Sequence, residues 1–303
     1  MKQKIKDYKE LVKFTLSFTV VFTCVICFLL VPDNRSNGAM ISVLFIAGML
    51  ICGSANAINQ AVEKDSDALM KRTANRPVAS GRMSVNEAMI FAMIAGVVGC
   101  AMMWYFFNLS SALLSAFSLF LYAYIYTPLK KINSVSVLVG GFPGAFPCLI
   151  GWVAGFYDQE INWMGGWVLF AIQFIWQFPH FWAIAWVSHQ DYTKVGFKLL
   201  PSKEGPTKFT AIQAIMYSVL MIPIGILPFL ENIKIAGKHH FFAGDNMMGS
   251  IGMWILIIAN IFMVVQCYRL YKAMDVKAAR RVMFSSYIYL PIVYLALLWD
   301  KIG

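Results

Sequence analysis

Nine stretches of this chain are apolar over helix length, and that pattern leaves few folds open. They run over roughly 14–31, 39–62, 88–107, 109–127, 134–157, 164–187, 209–230, 250–271 and 283–300. Each is long enough to cross a hydrocarbon layer and too uniformly apolar to be a barrel strand, whose side chains alternate between lipid and lumen. With 59% hydrophobic and only 13% charged residues, the chain does not have the surface of a soluble domain. The expected fold is an all-α polytopic membrane protein, a bundle of about nine transmembrane helices forming one domain over 1–303, with 1–13 as a short N-terminal segment.

A net charge of +10 could suggest nucleic acid, but the placement of the charges gives another reason. Of the 25 Lys and Arg residues, only Arg35, Lys234, Lys238 and Lys301 fall on the side of the odd-to-even loops; the rest share the side of the N-terminus. This is the positive-inside bias. It predicts a cytoplasmic N-terminus, a C-terminus across the membrane, and location in the cell (inner) membrane. An even number of spans would spoil the asymmetry. Lys2, Lys4, Lys6, Lys9 and Lys13 resemble the start of a signal peptide, but no small-residue cleavage site follows Phe28 to Val31, so the segment is read as a mature cytoplasmic end. All six cysteines lie in the spans and read as small apolar residues; Cys24 and Cys27 have redox spacing without a redox context.

The unusual chemistry gathers in two inward loops, 63–87 and 188–208. Asn59, Glu63 and Asp67 recur every four residues, drifting only about 40° around a helix per step, so they share a face if the helix continues to Asp67. Two carboxylates and an amide at a membrane boundary are costly without a compensating ion. With only oxygen ligands and no His or Cys, Mg²⁺ is the expected cation, and it keeps room in its shell for phosphate oxygens. Lys71, Arg72 and Arg76 follow at once and suit a diphosphate, though they also serve as topology signals. Lys130 and Lys131 end the fourth span on the same side and could reach the same phosphate.

In the sixth span Gln173, Gln177 and His180, with Asp191 beyond it, fall near one helical stripe, which predicts a face toward protein or a cavity. Phe178, Trp182 and Trp186 run parallel to it, either packing helices or offering π faces to a carbocation. His180 is either a satisfied core histidine or a functional one. Pro143, Pro147 and neighbouring glycines in the fifth span, and Pro179 in the sixth, predict kinks and close helix approaches. The outward loop with His239 and His240 reads as solvated.

Taken together, Asn56–Gly81 (NAINQAVEKDSDALMKRTANRPVASG), Tyr126–Lys131 (YTPLKK), Gly140–Pro147 (GGFPGAFP), Pro179–Ala183 (PHFWA) and Asp191–Gly196 (DYTKVG) resemble the UbiA superfamily of membrane prenyltransferases, and within it the heme-directed branch. Glu63 stands where the superfamily more often has Asp. Asp191, with Ser188 and Tyr192, stands where it usually has two acids four apart. The resemblance implies transfer of the farnesyl group of farnesyl diphosphate to a vinyl group of heme b, with Glu63, Asp67, Asn59 and Asp191 holding Mg²⁺. It implies Lys71, Arg72, Arg76 and Lys130 on the diphosphate, and His180 as heme contact or proton carrier. Heme A synthase or a terminal oxidase would be the partners for handoff. The alternatives are a sibling enzyme prenylating an aromatic quinone precursor, and a transporter of an anionic metabolite.

Overall fold

A computed structural model of the chain describes residues 2–32, 38–202, 204–230 and 249–301. Among these the structure is helical throughout, in the order α1 (Lys2–Leu11), α2 (Phe14–Leu29), α3 (Gly38–Val62), α4 (Lys64–Leu69), α5 (Val85–Phe106), α6 (Leu109–Phe120), α7 (Thr127–Leu129), α8 (Ser136–Ala154), α9 (Trp163–Val187), α10 (His189–Lys194), α11 (Lys208–Leu230), α12 (Ser250–Ala273) and α13 (Val276–Trp299). The apolar runs and the long helices coincide. Among the described residues, eight spans are each long and apolar enough to cross a membrane, with α6 continuing through α7 as one of them. The α1–α2 pair qualifies only jointly, bent by 51°. α1 is too polar to enter lipid, so the bend divides a basic surface segment from an apolar span. The His239–His240 loop and Arg35 lie outside the described residues.

α8 and α9 are the inner helices, mostly buried, whereas the other spans turn most of their surface outward. Large apolar side chains such as Met93, Val97, Trp254 and Ile258 are exposed, as a lipid-facing surface requires. α8 packs on α9, α2 and α6; α11 and α13 pack on both α9 and α12; α3 packs on α5. The main core therefore follows α8 and α9. A smaller apolar cluster of Leu11, Ala57, Ala61, Val78, Met83, Ala88 and Ala92 ties α1 and the 70–84 loop onto α3 and α5.

The prolines of α8 and α9 remain inside continuous helices, and the glycines of α8 set its distances to neighbours. A Cβ on Gly151 would overlap the Cys24 carbonyl oxygen of α2, and one on Gly140 would lie 2.6 Å from the Tyr126 ring. Here the glycines serve close approach, as lipid-embedded helices lacking a hydrophobic drive toward each other require. α6 is distorted over Leu121–Tyr126 into one wide turn, and the Thr127 hydroxyl donates to the Tyr122 carbonyl at 2.9 Å across it. Such bulges re-aim the side chains they carry, here Tyr122 and Tyr126. Gly151→Ala is expected to lower stability by about 1–3 kcal/mol or more, because backbone rather than a flexible side chain must move. Thermal unfolding in detergent, against Gly38→Ala where a Cβ meets nothing, measures the difference.

Candidate active site

At the end of the bundle that carries the two long loops, a cavity of about 190 Å³ opens between α2, α3, the wide turn of α6 and the Tyr192–Leu199 segment. Asn59, Glu63 and Asp67 all line it. α3 stops at Val62 and α4 begins at Lys64, yet the backbone ladder carries across the break. Glu63 N–H donates to the Asn59 carbonyl at 2.9 Å and Asp67 N–H to the Glu63 carbonyl at 2.7 Å. The break therefore leaves the four-residue spacing on one face. Asn59, Glu63 and Asp67 are all buried, Asp67 at 1% exposure.

Each carboxylate is paired with a cation from elsewhere in the chain. The Lys130 ammonium lies 2.7 Å from Glu63 Oε1 and the Arg76 guanidinium 2.7 Å from Asp67 Oδ2. Lys130 is itself buried, held over the Tyr126 ring at 4.6 Å, while its carbonyl accepts from the Lys198 amide at 2.7 Å. Arg72 lines the cavity and donates to the Tyr192 hydroxyl at 3.4 Å. Lys71 is exposed and is not among the residues that line the cavity.

Lys13 completes the set, and its role was not readable from its place in a basic N-terminal run. Its backbone is left-handed, φ 46°, at the break between α1 and α2. That strained conformation turns the side chain inward, where the ammonium donates to Asn59 Oδ1 at 3.1 Å. The carbonyls freed by the break are taken up by α3: Gln60 Nε2 donates to those of Glu10 and Leu11 at 3.0 and 2.9 Å, and Asn56 Nδ2 to that of Val12 at 3.3 Å. Arg82, 2.9 Å from Asp7 and 3.0 Å from Glu10, anchors α1 over the 70–84 loop and holds the Asp7 carboxyl below its ordinary range. Loss of water, then the neighbouring Arg76 and Lys130, pulls the Lys13 ammonium down to about 7. An anion placed beside it would restore the charge.

Lys13, Arg72, Arg76 and Lys130 face Glu63 and Asp67, a formal surplus of two positive charges in one cavity. Asp67 Oδ1 and Asn59 Nδ2 are buried with no hydrogen-bond partner among the described residues. An unpaired buried carboxylate oxygen beside an anionophilic cavity fits a hard divalent cation that brings its own water and phosphate oxygens. Among the described residues no three of His, Cys, Asp and Glu converge, so the protein would supply only part of such a shell.

Asp191 is not brought to this cavity. α9 ends at Val187 and Asp191 stands in the first turn of α10, its carboxylate 3.5 Å from Lys194, while its neighbour Tyr192 lines the site. The proposed polar stripe of α9 also divides. Gln177 Nε2 donates to the Gly141 carbonyl of α8 at 3.0 Å, whereas His180 Nδ1 meets Ser286 Oγ of α13 at 2.7 Å. Phe178 and Trp182 pack on Tyr217 of α11 at 4.4 and 5.2 Å between ring centres, and none of Phe178, Trp182 and Trp186 lines the cavity. The aromatic rings that do are Tyr122, Tyr126, Tyr192 and Phe197.

Residues 20–289 match the model of the UbiA prenyltransferase family. The chain belongs to the UbiA prenyltransferase family. It is 40% identical over 302 residues to a protoheme IX farnesyltransferase of Cytophaga hutchinsonii, covering 100% of both chains. It is 39% identical to one of Flavobacterium johnsoniae, covering 97% of this chain and 94% of that one. Among solved structures it is similar to a digeranylgeranylglyceryl phosphate synthase, with TM-score 0.77, 21% identity and 98% of each chain covered. A UbiA homologue from Archaeoglobus fulgidus bound to GPP and Mg²⁺ superposes with TM-score 0.70 at 14% identity, covering 97% of this chain and 99% of that one. At those identities the structural likeness establishes the fold, a UbiA-type multi-pass membrane bundle.

Two substitutions separate the roles of the cations. Lys130→Met leaves Glu63 buried without a partner and is expected to cost about 3–5 kcal/mol in thermal stability. Adding Glu63→Met should recover most of that while leaving diphosphate binding abolished. Lys13→Ala is expected to weaken binding of inorganic diphosphate about tenfold, equivalent to ~1.4 kcal/mol. Lys9→Ala, which removes an exposed charge of the same basic run, should leave calorimetric binding unchanged.

Proposed function

We propose that this prenyltransferase moves the farnesyl group of farnesyl diphosphate onto a vinyl carbon of heme b, with addition of water, giving heme O and diphosphate. The observation that carries the reading is the cation-rich cavity built on Asn59, Glu63 and Asp67, in a chain whose full-length relatives are protoheme IX farnesyltransferases.

The diphosphate is held by Lys13, Arg72, Arg76 and Lys130. As the allylic carbon–oxygen bond ionises, negative charge gathers on the departing diphosphate, and these fixed cations in a poorly solvated cavity stabilise it without reorganising. Asn59, Glu63 and Asp67 would hold Mg²⁺, which when bound supplies further neutralisation of the leaving group. Asp191 lies outside the cavity lining, paired with Lys194. Tyr122 and Tyr126 line the cavity, where their rings would stabilise the cationic carbon next to the diphosphate. The heme vinyl group attacks that carbon, the new cation beside the porphyrin takes up water, and one proton is released. No protein nucleophile is required. His180 contacts the heme acceptor. The cavity faces the cytoplasm in the cell membrane, on the side rich in Lys and Arg, and the product passes to a heme A synthase or an oxidase assembly.

Purified protein in detergent, incubated with heme b, farnesyl diphosphate and Mg²⁺, should yield heme O by mass analysis of extracted hemes, with yield lost on chelation. Release of diphosphate with an aromatic acid acceptor and no new heme would move the chain to a sibling activity. Asp67→Ala should reduce turnover by at least a hundredfold while the protein still elutes as a folded species; retained Mg²⁺-dependent turnover would refute the metal assignment.

A further inference from the structure

His180 stands in α9 seven residues before Val187, ~10 Å of helix rise from the end where Tyr192 lines the cavity. It is 7% exposed, lies parallel to the Trp176 ring at 4.8 Å and 16°, and meets the edge of Tyr287 at 5.0 Å. Two short contacts fix its protons. Ser286 Oγ lies 2.7 Å from His180 Nδ1 and 2.6 Å from the Met283 carbonyl oxygen.

A carbonyl can only accept, and two oxygens at that distance repel unless a proton lies between them, so the single Ser286 proton goes to Met283. The Ser286 oxygen must then accept, and His180 Nδ1 must carry a hydrogen. In the neutral ring that leaves Nε2 as a bare lone pair. Nε2 has no hydrogen-bond partner among the described residues and is not sealed from the surface. One turn earlier, the indole N–H of Trp176 is buried and has no acceptor among the described residues. An accessible nitrogen lone pair on a ring stacked against an indole suits a ligand with a Lewis-acidic centre. A metalloporphyrin has one, in a planar ring that aromatic side chains can pack on.

We propose that Ser286 is a positioning residue that locks His180 in the Nδ1–H tautomer, so that Nε2 binds the iron of the heme acceptor. This rests on heme b being the acceptor.

The test is titration of the purified full-length protein in detergent with ferric heme b, followed by absorption and electron paramagnetic resonance. The wild type should show an imidazole-ligated heme, and His180→Ala should lose that signature. Ser286→Ala should weaken heme binding about tenfold or more, the usual effect of removing the hydrogen-bond partner of a metal-ligating histidine. Ser286→Thr, which keeps the hydroxyl, should restore both affinity and spectrum. Binding of inorganic diphosphate, unchanged in each variant, reports that the bundle is intact. An unaltered spectrum and affinity in Ser286→Ala, with loss in His180→Ala, overturns the role of Ser286. An unaltered spectrum in His180→Ala overturns the iron contact. Failure to form heme O in the wild-type assay sinks instead the reading beneath it. Nitrogen-15 resonances of labelled histidine decide the tautomer without a serine variant, and a protonated Nε2 in His180 would overturn the proposal.

Discussion

Two carboxylates buried at the end of an apolar bundle are tolerable only because each has a cation within hydrogen-bonding distance. Glu63 with Lys130 and Asp67 with Arg76 are short pairs, and their partners come from different parts of the chain. Removing water from four charges is expensive, and the mutual attraction repays it only if the positions are held. That requirement explains why the loop between α4 and α5, the turn after α7 and the bend between α1 and α2 are all anchored. Fixed in this way, the cavity carries more positive than negative charge before any anion enters, which is what a diphosphate-leaving reaction needs from a protein.

The bend between α1 and α2 shows how that rigidity is obtained. A helix break inside a hydrophobic assembly frees carbonyls that lipid cannot satisfy. Asn56 and Gln60 take them up, while Asn59 from the same turn of α3 receives Lys13. One short polar run of α3 therefore closes the break, aims a lysine into the cavity and begins the acidic series. The apolar cluster around Leu11, Val78 and Met83 holds the same region from outside.

Much of this was legible in the residues. Among the described residues, eight of the nine apolar runs became helices long and apolar enough to cross a membrane, and the first qualifies only together with α1, because hydrogen-bond satisfaction in lipid leaves helices as the only option for such segments. Asn59, Glu63 and Asp67 could be placed on one face because a four-residue period survives even the break at Glu63. Other features escaped for definite reasons. Asp191 was grouped with α9 by its spacing, but α9 ends at Val187 and Asp191 belongs to the separate helix α10. Phe178 and Trp182 of α9 have the period of a cation-stabilising face and in fact pack on Tyr217, while Tyr122 and Tyr126, which line the cavity, sit on a wide turn whose period is not that of an α-helix. Lys13 looked like one basic residue among several.

The sequence by itself determined that the chain is a bundle of membrane helices with an oxygen-rich, cation-flanked site at one end, because hydropathy and helical period are local properties. Only the tertiary structure decided which cations meet which carboxylates, that Lys13 lines the cavity and Asp191 does not, and that His180 meets Ser286. Those depend on residues far apart in the chain, such as Glu63 with Lys130 and His180 with Ser286, and no local pattern encodes the meeting of side chains from separate helices.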